Sequence, residues 1–297
     1  MSHQVYINGA FVDAEHAVIS VWDHGFLYGD GVFEGIRAYH GRVFRLDQHL
    51  SRLYTSAHSI HLEIPVPFDE VRDAVLESCR RNEIADGYVR LVVSRGKGDL
   101  GLDPRKCSTP SVVIIASGIS LYPEEKYRDG LRLIVSSVQR TPPQCLDSRI
   151  KSLNYLNNIL ARIEANTTNA DEAVMLSTSG HVTECTAENI FTVSNGVIRT
   201  PAPFVGILEG VTRGAVIEVA RKKGLVVEET TLTSHDLFVA DEVFLTGTGA
   251  ELIPVVTVSG RKVGTGKPGP VFQQLLSDFR ALTRAEGTPI QTVPSVF

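Results

Sequence analysis

Short runs of alternating apolar and polar residues, separated by turn residues, open the chain, and VYING and AVISVW both read as strands. FEGIRAYHGRVF continues as a hairpin with Gly41 in its turn. From Asp47 the period changes. Leu50, Leu53, Ala57 and Ile60 recur at helical spacing with Asp47 as N-cap, and Val71, Val75 and Cys79 mark a second helix after Pro67. GYVRLVVS and SVVIIAS are apolar enough to be buried strands. The polar stretch ISLYPEEKYRDG then reads as a linker, so a domain boundary is expected near residue 125, dividing the chain into residues 1–124 and 125–297.

Beyond LRLIVSSV, strands and helices intermingle. Residues 157–166 are amphipathic through Ile159, Leu160 and Ile163; EAVMLS, HVTEC, NIFTV and GVIRT read as strands, with Asn195-Gly196 a two-residue hairpin turn. A helix from Thr212 to Lys223 is closed by Gly224, VVEET and EVFLTGT are strands, and Val271, Leu275, Phe279 and Leu282 mark a last helix. The expected fold class is α/β in the mixed α+β sense.

Composition narrows the function. With 297 residues, 43% of them hydrophobic and 21% charged, the chain can form two domains and is not a disordered one. A net charge of -5 provides no basic field for nucleic acid or an anionic membrane, which favours small-molecule partners. No run approaches the ~20 apolar residues of a membrane span, and MSHQVYINGAF lacks a secretory pattern, so a cytoplasmic enzyme is expected. Cys79, Cys107, Cys145 and Cys185 form no CxxC, and the nine histidines form no HExxH, so no metal is expected; His58 and His61 read as ordinary surface or packing residues.

Candidate chemistry begins at RIKSLNYLNN. Lys151 has the apolar neighbours Ile150, Leu153 and Leu156, an environment that suits an amine forming a Schiff base, although a lysine at a helix start is more often a surface residue. Were the carbonyl partner pyridoxal phosphate, an anion would be needed beside the pyridine nitrogen. Glu184, on one strand face with Val182 and Thr186, is the candidate. A phosphate needs helix N-termini, amides and hydroxyls. Gly210, Val211 and Thr212 stand at a helix start in LEGVTRGAV, and Thr248 lies between Gly247 and Gly249 in TGTGAEL. Each segment taken singly is more often a plain turn or cap. Leu252 replaces the third glycine of a dinucleotide fingerprint, and no GK[ST] loop occurs.

Six segments in one order, HGFLYGDGVFEGIRAY, YVRLVVSRG, KSLNYLNN, TECTAENIF, LEGVTR and ADEVFLTGTGAEL, mark a resemblance to the branched-chain aminotransferases, members of the fold-type IV pyridoxal-phosphate enzymes. It extends from Val5 to about Phe279. The resemblance implies a smaller N-terminal α/β domain and a larger pseudo-barrel α/β domain with the site between them. It implies Lys151 as the Schiff-base lysine and general acid–base, and Glu184 at the pyridine nitrogen. Arg52, Gly210, Val211, Thr212 and Thr248 would hold the phosphate, Tyr155 the phenolic oxygen, and Leu208 a ring face. The substrate would meet Tyr28, Phe33, Gly35, Tyr88 and Arg90, with Thr248, Gly249 and Ala250 near its carboxylate. Arg90, Tyr28 and Tyr122 could serve a γ-carboxylate at the rim.

The implied reaction moves the amino group of branched-chain L-amino acids to 2-oxoglutarate by a ping-pong mechanism. A homodimer is implied as well, and the GKGDLGLDP loop, residues 96–104, is expected to reach the neighbouring site. Departures point to alternatives. Thr248-Gly249-Ala250-Glu251 stands where the branched-chain enzymes often read TAAE, and KSLN also occurs in D-amino-acid aminotransferases. Those enzymes resemble one another in an Arg-x-His pair, where this chain has Arg105-Lys106-Cys107, which favours L-substrates over D-amino acids or R-amines. An aminodeoxychorismate lyase shares the YGDG segment but has no need of Tyr88 and Arg90. A non-catalytic binding protein on this fold would have no need of Lys151.

Overall fold

The computed structural model describes residues 3–119 and 121–291. They fall into two units.

The first contains β1 (Gln4–Ile7), β2 (Ala10–Asp13), α1 (His24–Tyr28), β3 (Gly31–Tyr39), β4 (Arg42–Val43), α2 (Leu46–Ser59), α3 (Phe68–Arg81), β5 (Gly87–Ser94) and β6 (Ser111–Ser117). With the short strand Thr288–Pro289 they build an antiparallel sheet in the order Thr288–Pro289, β4, β3, β5, β6, β1, β2. Alternation turns Val32, Ile36 and Ala38, with Val89, Leu91 and Val93, toward Leu50, Leu53 and Ala57 of α2 and Val71, Val75 and Cys79 of α3. Each such leucine or valine contributes about 1.5–3 kcal/mol by leaving water.

Two expectations need correcting in this unit. The α2 N-cap is Arg45, in the left-handed region at φ 50°, and Asp47 sits in the first turn, where its charge complements the helix dipole. AVISVW forms no strand. Val18 and Val21 are 75% and 69% exposed, because alternation shows that one face is apolar and not that a neighbouring strand exists to cover it.

The second unit begins with α4 (Glu124–Asp129), a helix inside the expected linker, and continues through β7 (Leu131–Val135), α5 (Leu156–Thr167), β8 (Glu172–Leu176), β9 (Val182–Cys185), β10 (Asn189–Ser194) and β11 (Val197–Pro201). It then runs through α6 (Val211–Lys222), β12 (Val226–Thr230), α7 (Ser234–Phe238), β13 (Glu242–Gly247), β14 (Glu251–Val258), β15 (Arg261–Lys262) and α8 (Pro270–Ala285), which belongs here through Leu282. The sheet order is β12-β11-β10-β13-β14-β7-β8-β9, with β15 on β14. Parallel pairing at β11/β12, β14/β7 and β7/β8 makes it mixed, and β9 comes back against β10 and β11, so the sheet curls. Asn195 (φ 51°) and Gly196 (φ 75°) make the tight β10–β11 turn. Phe191 stacks on Phe244 with centroids 5.1 Å apart.

The apolar stripe of α5 points outward. Ala161 and Ala165 face the unit, while Leu156, Ile159, Leu160 and Ile163 are about half exposed or more.

The expected division at residue 125 also changes. The first unit runs to Ile119 and takes back Ile150–Asn154 and the described residues from Thr283 on. Backbone pairing explains the return. Phe33 N donates to Lys151 O at 2.9 Å, Leu153 N donates to Gly31 O at 2.9 Å, and Thr288–Pro289 pairs with β4. Lys151 therefore belongs with the first unit and not, as expected, with the second. Among the described residues no helix is long and apolar enough to cross a membrane.

Candidate active site

Lys151 is held by its backbone along β3, and its N–H also donates to Ser56 Oγ of α2 at 3.2 Å. Its Nζ lies 4.6 Å from the centroid of the Phe33 ring. The Arg90 guanidinium stands over the same ring at 4.6 Å and over Tyr88 at 5.5 Å. Gly35 makes room for this group: a Cβ there would lie 1.8 Å from the Tyr88 hydroxyl. Phe33, Gly35, Tyr88, Arg90 and Lys151 are thus gathered on one face of the sheet, and Arg90 is stacked on aromatic rings. Tyr28 belongs to another group. Its hydroxyl donates to Leu100 O at 2.6 Å, and His24 Nε2 pairs with Asp99 O at 2.7 Å, so α1 carries the loop 96–104.

The opposite face of β3 bears a carboxylate inside the apolar core. Glu34 has no exposed surface; Arg52 donates Nε to its Oε1 at 2.7 Å and Nη2 to its Oε2 at 2.8 Å, and His49 Nδ1 bonds Oε2 at 2.7 Å. Burial pushes the Glu34 carboxyl up, but the Arg52 charge and His49 outweigh it and hold it at about 2. Burial keeps the His49 imidazole below its usual range, against the pull of Glu34, and Arg52 and Lys151 depress it further. His49 is therefore a neutral donor at neutral pH.

In the second unit the central residue is Glu184, buried on β9. Arg140 donates Nε and Nη2 to Oε1 at 3.2 and 3.0 Å; Asn189 Nδ2 and Leu208 N donate to Oε2 at 3.2 and 3.0 Å. Arg140 is fixed in turn by Asn158, whose Oδ1 accepts Nη1 at 2.9 Å. The half-buried Leu208 leads to Gly210, the N-cap of α6, and a Cβ on Gly210 would meet Asn189 Oδ1 at 2.1 Å. Val211 and Thr212, both buried, open the helix, whose first-turn N–H groups lack acceptors within the helix. Thr248, Gly249 and Ala250 form the turn between β13 and β14, followed by Glu251 at φ 58°. Tyr155, half-buried, is the N-cap of α5.

Tyr122 is partly buried against the core of this unit, and its hydroxyl donates to buried Glu188 Oε1 at 3.3 Å. Glu188 shares that interior with Glu172, which Arg162 Nη1 meets at 2.6 Å. Glu34, His49, Arg140, Asn158 and Asn189 all escape sequence reasoning. For Glu34 a signal exists, a glutamate in register with Val32, Ile36 and Ala38 on an apolar strand face; Arg140 follows a strand without any pattern.

The class IV amino-transferase family pattern matches residues 31–258. The chain is 34% identical to the branched-chain-amino-acid aminotransferase of Escherichia coli K12, over 95% of this chain and 93% of that one. It is 36% identical to that of Pseudomonas aeruginosa, over 91% and 90%. The T.th. branched-chain amino acid aminotransferase, solved with pyridoxamine 5'-phosphate, superposes with a TM-score of 0.92 at 38% identity and 96% coverage of both chains, and it has also been solved with N-(5'-phosphopyridoxyl)-L-glutamate. A pattern spanning both units, relatives matched nearly end to end and the fold-type IV architecture agree: the chain belongs to the class IV aminotransferases, among the branched-chain enzymes.

Proposed function

We propose that this chain is a pyridoxal-phosphate-dependent transaminase that moves the amino group of L-leucine, L-isoleucine and L-valine to 2-oxoglutarate in two half-reactions at one site. The residues fit the cofactor. Buried Glu184, bonded to the Arg140 cation, is the anion a protonated pyridine nitrogen requires. Gly210 lets Asn189 Oδ1 come close to the backbone at the α6 N-terminus, where Val211 and Thr212 offer amides and a hydroxyl to a phosphate, with Arg52 and Thr248 as further ligands. Tyr155 is assigned to the phenolic oxygen and Leu208 to a ring face. When bound, pyridoxal phosphate supplies an aldehyde carbon and an electron-withdrawing ring, which make the amino group transferable.

Lys151 Nζ would hold the cofactor and, as base and then acid, would carry the proton from the substrate's Cα to the cofactor's former aldehyde carbon. Phe33 and the Tyr88 ring offer an apolar wall to a branched side chain. Arg90 beside them offers a cation to a γ-carboxylate, and the glutamate adduct of the T.th. enzyme supports that pairing. Thr248, Gly249 and Ala250 receive the α-carboxylate.

The observation that carries this reading is the convergence of the Lys151 amine with Phe33, and of Phe33 with Arg90. L-amino acids are favoured, because Arg105, the arginine that a D-specific site would use, is 87% exposed and bonded to Asp103. Single half-reactions with L-leucine, L-isoleucine, L-valine, D-alanine and R-amines test it. Faster conversion with D-alanine than with L-leucine would reject it.

The assembly proposed is a homodimer in the cytoplasm. Phe26, Leu100 and Leu102 are 66%, 64% and 78% exposed on α1 and its loop, and a second copy would cover them and give the loop and Tyr28 a neighbouring site to reach. Four free cysteines suit a reducing compartment.

A further inference from the structure

Glu34 stands on the core face of β3 with Val32 and Ile36 on either side, a position a leucine would fill at no electrostatic cost. A buried ion pair returns little stability over an apolar replacement, so its presence calls for another reason. Both carboxylate oxygens are used. Two parallel bonds from Arg52 fix the plane of the guanidinium, and His49, three residues before Arg52 on α2, holds the carboxylate from the other side at 2.7 Å.

We propose that Glu34 is a positioning residue for the cofactor's phosphate: it locks the Arg52 guanidinium in one orientation, and His49 keeps Glu34 in place. The inference rests on the reading of Arg52 as a phosphate ligand. An arginine already stripped of its rotamer freedom loses less entropy when an anion arrives, and preorganisation of this kind raises affinity without adding a contact. The clamp on Arg52 is the part of the site that the carboxylate serves, and it acts only on a ligand that carries the phosphate.

The test is binding, not turnover. Full-length protein freed of cofactor is titrated with pyridoxal 5'-phosphate and with pyridoxal, which lacks the phosphate, in wild type, Glu34→Gln, Glu34→Asp, Arg52→Met and the Glu34→Gln/Arg52→Met double variant. Loss of one charge-assisted orientation should weaken pyridoxal 5'-phosphate by about tenfold to a hundredfold in both Glu34 variants. Pyridoxal should be unchanged, and the double variant should match Arg52→Met. If Arg52→Met spares the preference for the phosphorylated ligand, the reading of Arg52 itself fails. If Arg52→Met removes that preference but the Glu34 variants keep it, or if they weaken both ligands equally, the positioning role is overturned.

Discussion

Arg140 donates through Nε and Nη2 to a single oxygen of Glu184, and both side chains are nearly buried, 11% and 7% exposed. The pair fixes a negative charge where neutral donors alone would leave it poorly compensated. Arg140→Met removes the cation and leaves the carboxylate buried. Urea unfolding should register a loss of about 3 kcal/mol, and turnover should fall with it. A variant of unchanged stability would mean that Asn189 and the Leu208 amide suffice.

Gly210→Ala is expected to act on the same carboxylate from a distance. The new methyl meets Asn189 Oδ1, and Asn189 Nδ2 bonds both Glu184 Oε2 and Leu208 O at 3.2 and 2.9 Å. Cofactor affinity, read by absorbance titration, should fall by about tenfold, the loss of one charge-assisted bond. Affinity equal to wild type would show that Asn189 yields without consequence.

Gly35→Ala places a methyl where the Tyr88 hydroxyl now lies, and the ring carbon Cζ is only 2.6 Å away, so the ring itself must move. Overpacking of this kind costs about 1–3 kcal/mol. KM for L-leucine should rise more than kcat falls, since Tyr88 is assigned to substrate binding. An unchanged KM would remove Tyr88 from the pocket.

How far the sequence alone reaches depends on the kind of signal. Asn195-Gly196 and Gly41 mark hairpins because positive φ demands such residues, and the stripe through Leu50, Leu53 and Ala57 marks α2. On α5 the same periodicity identifies the helix but not its covered side, since a stripe does not say what will bury it. Lys151 stands out by its neighbours, yet its attachment to β3 comes from backbone pairing at long range, which no local pattern encodes. Arg140 and His49 act through partners far away in sequence. Glu34 lies within a motif in plain view, but a single glutamate on an apolar strand face carries no sign of the helix residues that will pair with it.

Two buried glutamates should respond oppositely to pH. At Glu188 burial comes first, then repulsion from Glu172; together they outweigh the Tyr122 bond and Arg162 and push the carboxyl from 4.5 up to about 8. The folded protein therefore holds a proton that the unfolded chain releases. Stability falls as pH rises from about 4.5 to 8. Glu188→Gln should flatten that decline in urea unfolding followed across the range. At Glu34, held at about 2, the sign reverses: its contribution is full above 4.5 and is lost as pH falls toward 2. An equally steep decline in Glu188→Gln would assign the slope to other groups.

Leu100→Asp with Leu102→Asp puts charge on the loop 96–104, where the native residues are 64% and 78% exposed. If a second copy covers this loop, light scattering should change from a dimer mass to a monomer mass. A dimer that persists would locate the interface elsewhere.

All of the proposed chemistry requires Lys151 Nζ to carry the cofactor. Borohydride reduction of the protein loaded with pyridoxal 5'-phosphate, followed by proteolysis and mass mapping, should find the added mass on the peptide containing Lys151, and Lys151→Ala should take up none. A label on another lysine, or no label on loaded wild type, would refute that assignment.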